Sequence, residues 1–386
     1  MKICLISVEI FAWGKYGGFG RAARIIGHEM VKRGHTVFAV VPRRAGQRPV
    51  ETLDGMTVFG FQVSRPWTAA QLLKQCDADL YHSCEPSLST ALAMRTMPDR
   101  AHLVTVRDPR GFADWATEFL LPSLNKWQVL FNFFYEHNWV VHRAVQRADG
   151  VFAPARSLVQ KIHALYGLRQ APKFLPTPVG LPRQIRKAGR PTVCYLARLD
   201  RRKRPTLFLD LARQFPHVQF IAVGASRDPQ WDAKLRARYA DVPNLEMTGF
   251  IDQFTSSRHS TILEQSWVFV NTAAREGLPN AFLEAAAHRC AILAEVDPDG
   301  FASQFGYCVR DGDFANGLRW LLEQERWKAF GERGHRHVLE TFATERAIDQ
   351  HVAAYELALA HASGRSLPGA GRVQLAASAN PLGGQR

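Results

Sequence analysis

No run of apolar residues in this sequence reaches the roughly 18 that a membrane-crossing helix requires, so the chain is not expected to thread a bilayer. The opening, Met1-Lys2-Ile3-Cys4-Leu5-Ile6-Ser7, passes straight into a strand-like pattern and an acidic Glu9, with nothing resembling the cleavage region of an export signal. That lack predicts a cytoplasmic protein. Cysteine pairs are missing too: the six cysteines, at 4, 76, 84, 194, 290 and 308, form no CxxC and keep no regular spacing. This speaks against a disulfide framework and for reduced, mostly buried thiols. Acidic side chains are in deficit, 35 against 49 lysines and arginines, which leaves a formal charge of +14. Such a surplus favours an anionic partner: nucleic acid, an anionic membrane leaflet or a phosphate-bearing substrate. Zinc-finger spacing, an RNP motif and a single long basic arm are all absent, so nucleic acid is not the partner expected.

What is present is an ordinary globular balance, 46% apolar and 22% charged residues, in a chain of 386 residues, long enough to expect two domains. The first forty residues read as strand, glycine-rich turn, helix from about Gly18 to Arg33, Gly34 as its stop, and a second strand at Thr36–Val41. This is the opening of a doubly wound α/β domain. The turn, Gly14-Lys15-Tyr16-Gly17-Gly18-Phe19-Gly20, departs from G-x-G-x-x-G spacing, which argues against a nicotinamide site. Further strands are expected at Met56–Phe61, Asp79–Ser83, Ala101–Val106 and Ala148–Ala153, and Pro176–Pro191 is a Pro/Gly/basic linker marking a domain boundary. The second half restarts at Thr192–Ala197, with later strands at His217–Gly224, Asn244–Phe250, Trp267–Asn271 and Ala291–Glu295.

Two stretches of the second half concentrate chemistry. After the Thr192–Ala197 strand comes Arg198-Leu199-Asp200-Arg201-Arg202-Lys203-Arg204, cations at a carboxyl strand end, where open α/β sheets bind ligands. After Trp267–Asn271 comes Arg275-Glu276-Gly277-Leu278-Pro279-Asn280-Ala281-Phe282-Leu283-Glu284. Gly277 permits a tight turn and Pro279 suits a helix start, so Glu276 sits in a loop and Glu284 about one and a half turns into a helix. Both carboxylates can then reach one crevice, beside a helix N-terminus that favours anions.

This stretch resembles the Glu-x7-Glu signature of the GT-B glycosyltransferases, specifically the large retaining family 4, which includes many bacterial polysaccharide and lipid glycosyltransferases. The resemblance implies that Glu276 contacts hydroxyls of the donor sugar and Glu284 holds the nucleotide ribose. It implies that Arg198 and Lys203, five apart as in the family, face the donor diphosphate, and that Gly17 and Gly18 form a loop facing diphosphate and acceptor. Gly277, Leu278, Pro279 and Asn280 belong to the donor loop, and Phe250 and Ile251 to the base pocket. Where family members carry a histidine after the strand equivalent to Val104-Thr105-Val106, this chain has Arg107, which can offer charge to a phosphate or an acidic acceptor; an ion pair near Asp108 is the plainer reading.

The expected architecture is therefore two Rossmann-like domains facing across a cleft: residues 1–176 for the acceptor, with a helix at about 345–360 packing back on them, and 177–344 for the nucleotide sugar, within helical sequence over 331–360. Residues 361–386 are expected to be a disordered tail. The implied activity moves a sugar from a nucleotide sugar to a sugar or lipid-linked acceptor with retention, without a cofactor or metal, in cell-surface polysaccharide or glycolipid synthesis. Asp-x-Asp triplets at 77/79, 297/299 and 311/313 read as structural. An epimerase or phosphorylase of the same fold, or a catalytically silent nucleotide-sugar-binding subunit, would share these features. Residues 112–147 mix Phe112, Trp115, Phe119, Trp127, Phe131, Phe133, Phe134, Tyr135 and Trp139 with Lys126, His137, His142, Arg143 and Arg147. Helical spacing accounts for much of this as core; the other reading is an amphipathic surface for acceptor or for the anionic inner face of a membrane.

Overall fold

Runs of β-branched and aromatic residues, buried on both faces, make the strands of a computed structural model that describes residues 1–365 except Lys15, Leu121, Ser123 and Leu124. The first sheet comprises β1 (Lys2–Ile6), β2 (Thr36–Pro42), β3 (Val50–Leu53), β4 (Met56–Phe61), β5 (Leu80–Ser83), β6 (Ala101–Thr105), β7 (Gly150–Ala153) and β8 (Lys173–Phe174), in the order β3-β4-β2-β1-β5-β6-β7-β8. All neighbours are parallel except β3 and β4. That antiparallel hairpin turns at Asp54-Gly55, both at positive φ, the pairing a two-residue hairpin demands. The sequence reading overlooked β3 although its turn signal was present.

The second sheet, β9 (Thr192–Leu196), β10 (Gln219–Val223), β11 (Leu245–Gly249), β12 (Val268–Asn271), β13 (Ala291–Ala294) and β14 (Gly306–Cys308), is wholly parallel in the order β11-β10-β9-β12-β13-β14. Helices cover both faces of each sheet, with separate apolar cores around Leu5, Val58 and Leu103 in the first and around Tyr195, Phe208 and Leu293 in the second. Both orders reverse at an inner strand, between β1 and β5 and between β9 and β12. Ligand crevices open at such points, outside the carboxyl ends.

The helical sequence expected over 331–360 is two helices, Arg326–Thr341 and Thr344–Arg365. The break is a crossing point: Val179 donates its N–H to the Phe342 carbonyl at 2.9 Å and accepts from Thr344 at 3.1 Å, so the outgoing linker and the returning chain are tied together. Beyond it, Ile348, Tyr355 and Ala358 of the last helix enter the first domain's core. Tyr355 also bonds His82 Nδ1 at 2.8 Å, and His82 Nε2 meets Thr105 Oγ1 at 2.7 Å, all buried. The tail expected to be disordered from residue 361 is helical through Arg365; the remainder lies outside the described residues.

Because Ile348 is fully buried under the first sheet, Ile348→Ala should cost about 2–5 kcal/mol. Urea unfolding followed by fluorescence reads this directly, and a loss below about 1 kcal/mol would show that the last helix is not part of that core.

Candidate functional site

The β9 and β12 carboxyl ends lie side by side at the reversal of the second sheet, and the loops they feed carry opposite charges into one cleft of about 520 Å³. The β9 loop supplies Arg198, Arg202 and Lys203, the β10 loop Arg227, and the β12 loop Glu276 to Ala281. Opposite them stand the β1 loop with Glu9, Tyr16, Gly17 and Gly18, and the β6 loop with Arg107, Asp108 and Arg110. Ten of the residues singled out from sequence therefore meet here: Gly17, Gly18, Arg107, Arg198, Lys203, Glu276, Gly277, Leu278, Pro279 and Asn280.

Each is positioned by a definite contact. Arg198 pairs with buried Asp200 at 3.0 Å, and the other Asp200 oxygen accepts from the Arg227 N–H at 3.2 Å, so one carboxylate orients two of the cleft's arginines. Lys203 Nζ contacts Glu276 Oε1 directly. Burial holds the Lys203 ammonium below the usual lysine range, Glu276 opposes that, and nearby Arg202 and Arg198 add to it. Gly277 is dictated by packing: a Cβ there would stand 2.5 Å from the Arg107 carbonyl oxygen, and no side chain fits where two backbones from different domains touch. One residue on, Leu278 bridges apolar clusters of both domains. Pro279 caps the helix Asn280–Ala287, and Asn280 donates to the Gly18 carbonyl at 2.9 Å.

Arg107 is buried and donates through Nη1 to Thr177 Oγ1 at 2.7 Å, at the domain crossing, while its own N–H donates to Glu85 at 2.8 Å. The expected pairing with Asp108 does not form; Asp108 instead takes Arg275 at 2.6 Å and Arg110 at 3.6 Å. Burial, reinforced by Asp108, pushes the Glu85 carboxyl up to about 8. At neutral pH Arg107 therefore faces a largely uncharged acid.

Three residues are not lining the main cleft. Glu284 lies beside a small adjoining cavity with Arg21, Thr177 and Asn280. Its Oε1 is in contact with Arg21 of the first domain, and His259 stands 3.7 Å from Oε2; burial lowers that imidazole to about 4, so it is neutral. Among the described residues Oε2 has no hydrogen-bond partner, which leaves a buried acceptor oxygen for a hydroxyl. Phe250 is exposed at the rim, stacked on Tyr16 with centroids 4.3 Å apart, and Ile251 packs against the second domain's core. Neither lines the cleft: Tyr16 covers the Phe250 ring face, and Ile251 is turned to the core.

Sequence reasoning missed the charge network joining the domains. Arg275 binds Asp108 and Asp114, each at 2.6 Å, and Arg202 binds Glu118 at 2.8 Å, both across the cleft, while within the first domain Arg110 contacts Glu136. Arg202 was in the basic turn already noted, and applying the strand-end rule to β10 would have found Arg227. The Asp299 carboxylate is likewise committed, accepting from the Arg156 and Ser157 N–H groups at 2.9 and 2.6 Å.

Comparison with known proteins comes from both halves. The family described as Glycosyltransferase Family 4 matches residues 16–183, and that described as Glycosyl transferases group 1 matches 190–324. No curated protein sequence matches the chain. Among solved structures, sucrose-phosphate synthase from Thermosynechococcus elongatus superposes with a TM-score of 0.72 at 18% identity, over 93% of this chain and 99% of that one. Anabaena HepE, solved with UDP and glucose, gives 0.69 at 14% identity over 92% and 99%. The catalytic domain of starch synthase IV from Arabidopsis thaliana, bound to ADP and acarbose, gives 0.61 at 12% identity over 93% and 99%.

Two outcomes test the site. Gly277→Ala should lower turnover by at least about tenfold while folding is retained, since a shift of about an ångström in a positioning loop has that effect; unchanged kinetics would remove the tight-approach argument. The second concerns Glu85, whose folded-state carboxyl titrates near 8, above its unfolded value, so the native state binds the extra proton and stability falls as pH rises from about 4.5 to 8. Glu85→Gln should flatten that slope in urea-unfolding series across this window, and a parallel slope in both proteins would refute the burial cause.

Proposed function

This chain is a glycosyltransferase of the GT-B fold, and from that premise we propose that it transfers a sugar from a nucleotide sugar to an acceptor hydroxyl with retention of configuration, in cell-surface polysaccharide or glycolipid synthesis at the inner face of a membrane. The observation that carries this is the meeting of Arg198 and Lys203 after β9 with Glu276 after β12 in one inter-domain cleft. A departing nucleoside diphosphate gains negative charge in the transition state, and preorganised cations in a water-poor crevice stabilise that charge. Arg198, already aligned by Asp200, and Lys203 take the phosphates in this reading.

Lys203 and Glu276 work as a unit. A diphosphate shares the Lys203 ammonium, which releases oxygens of Glu276 to accept hydroxyls of the sugar, so that donor phosphate and donor sugar are sensed together. Glu284 accepts the ribose through its unpartnered oxygen, and the cross-domain contact with Arg21 then helps close the first domain over the donor. Gly17 and Gly18 bring backbone close to the phosphates and the acceptor. Arg107, buried at the crossing with a spare Nε, adds positive potential where the two substrates meet.

The test begins with melting curves in UDP, GDP and ADP: the cognate nucleotide at a hundred times its Kd stabilises by about 2.7 kcal/mol, and a panel of nucleotide sugars then identifies the donor by turnover. Glu284→Ala should abolish the cognate shift; an unchanged shift would count against its ribose role. Lys203→Met should lower kcat by about 100-fold or more, with the lost affinity smaller than the lost rate. Binding without transfer to a broad set of acceptors would instead make the chain a silent nucleotide-sugar-binding subunit.

A further inference from the structure

More than half of the large apolar side chains left exposed among the described residues fall between positions 112 and 139. Four of them, Trp127, Leu130, Phe131 and Phe134, are spaced i, i+3, i+4 and i+7 along the helix Lys126–Glu136. That spacing is the apolar stripe of a helix that packs on something, yet Trp127 is 80% and Phe134 66% exposed. The core reading of residues 112–147 thus holds for Trp115, Val129, Tyr135, Val141, Ala144 and Val145. Phe112 and Trp139 extend the exposed patch onto the flanking helices Phe112–Leu120 and Trp139–Arg147.

The charges around the stripe have one sign. Lys126, Arg143 and Arg147 are exposed, and the helix Trp139–Arg147 contains no acid. The acids of the other two helices point inward: Asp114 and Glu118 bind Arg275 and Arg202, and Glu136 binds Arg110. The opposite face of the Lys126–Glu136 helix, through Val129, Asn132, Tyr135 and Glu136, lines the cleft, and Phe131 of the stripe reaches its rim. A single helix therefore has its polar and buried side on the substrate cleft, Phe131 at the rim, and Trp127, Leu130 and Phe134 turned outward, ringed by cations.

We propose that this surface docks on an anionic lipid bilayer and that the acceptor enters the cleft sideways from that bilayer, past the Lys126–Glu136 helix. Tryptophan and phenylalanine sit at headgroup depth, and the cations meet anionic lipid. A protein partner of matching shape would need acidic residues facing this cationic rim, whereas a bilayer supplies both components without a complementary fold. The inference rests on the membrane-side acceptor reading above.

Flotation with vesicles of phosphatidylcholine, with and without phosphatidylglycerol, tests it at physiological salt. The full chain should float with the anionic vesicles. Trp127→Ser with Phe134→Ser, and separately Lys126→Glu with Arg143→Glu, should each cut binding by roughly tenfold or more. None of these side chains lines the cleft, so the nucleotide-induced melting shift should survive in every variant. Failure to float, or flotation indifferent to both double variants, overturns the docking surface. A dimer that light scattering shows dissociating in the stripe variants, with flotation unaltered, also overturns it in favour of a second copy on the stripe. If no nucleotide shifts the melting curve while flotation behaves as stated, it is the donor reading that falls and the docking surface that stands.

Discussion

The structure must hold several positive charges within one crevice. Arg198, Arg202, Lys203 and Arg227 enter from the second domain, Arg107 and Arg110 from the first, and like charges at such range repel strongly in a partly dry site. The chain offsets most of this with acids set against the cations: Asp200 for Arg198, Glu276 for Lys203, Glu118 for Arg202 and Glu136 for Arg110. Among the described residues the Arg227 guanidinium forms no ion pair, and Arg107 lies beside the acid whose proton is retained to about 8. The crevice thus keeps a positive residue of charge that a diphosphate neutralises. Stability is given up locally for an anion site, a conflict confined to functional positions.

Ion pairs also tie the domains together. Arg275, Arg202 and Arg21 of one domain or the other each find their acid across the cleft, whereas apolar contact between the halves includes Leu278 and the rings of Phe11 and Tyr16 against Phe250 and Phe254. Polar contacts of this kind exchange for water at small net cost, so the interface separates more readily than a core does. The covalent crossings at Thr177–Val179 and Phe342–Thr344 are hydrogen-bonded to each other, which confines separation to bending about one place. Arg107 reaches Thr177 at that place; a change in crossing geometry is thereby passed to a side chain that lines the cleft.

How much of this was legible in sequence depended on range. Parallel strands buried on both faces announce themselves as short apolar runs, so most of both sheets and the loops at their carboxyl ends were readable, and with them the company of Arg198, Lys203 and Glu276. The Asp54-Gly55 hairpin was readable and overlooked. The break at Phe342-Ala343 was not, since nothing local requires it; Val179, far away in sequence, supplies the pairing. Glu284 shows the limit most clearly. Its helical position followed from spacing, but its partner Arg21 lies 263 residues away, and no periodicity records which side of an interface a carboxylate will face.

The segment 112–147 exposes a different limit. Periodicity reports that a helix has an apolar face; it does not report what covers that face. On the Lys126–Glu136 helix the buried side is the mixed one, carrying Val129, Asn132, Tyr135 and Glu136 to the cleft, and the apolar side faces out at Trp127, Leu130 and Phe134, with Phe131 at the cleft rim. A soluble domain gains nothing from such an arrangement, because each large aromatic left in water forgoes about 1.5–3 kcal/mol of burial. The inversion makes physical sense when the cleft needs polar groups from this helix for its substrates and the outer side is covered by something other than this chain. With every acid of the region drawn inward by Arg110, Arg202 and Arg275, what remains outside is aromatic and cationic. The ion pairs that order the cleft thereby also set the sign of the surface next to it.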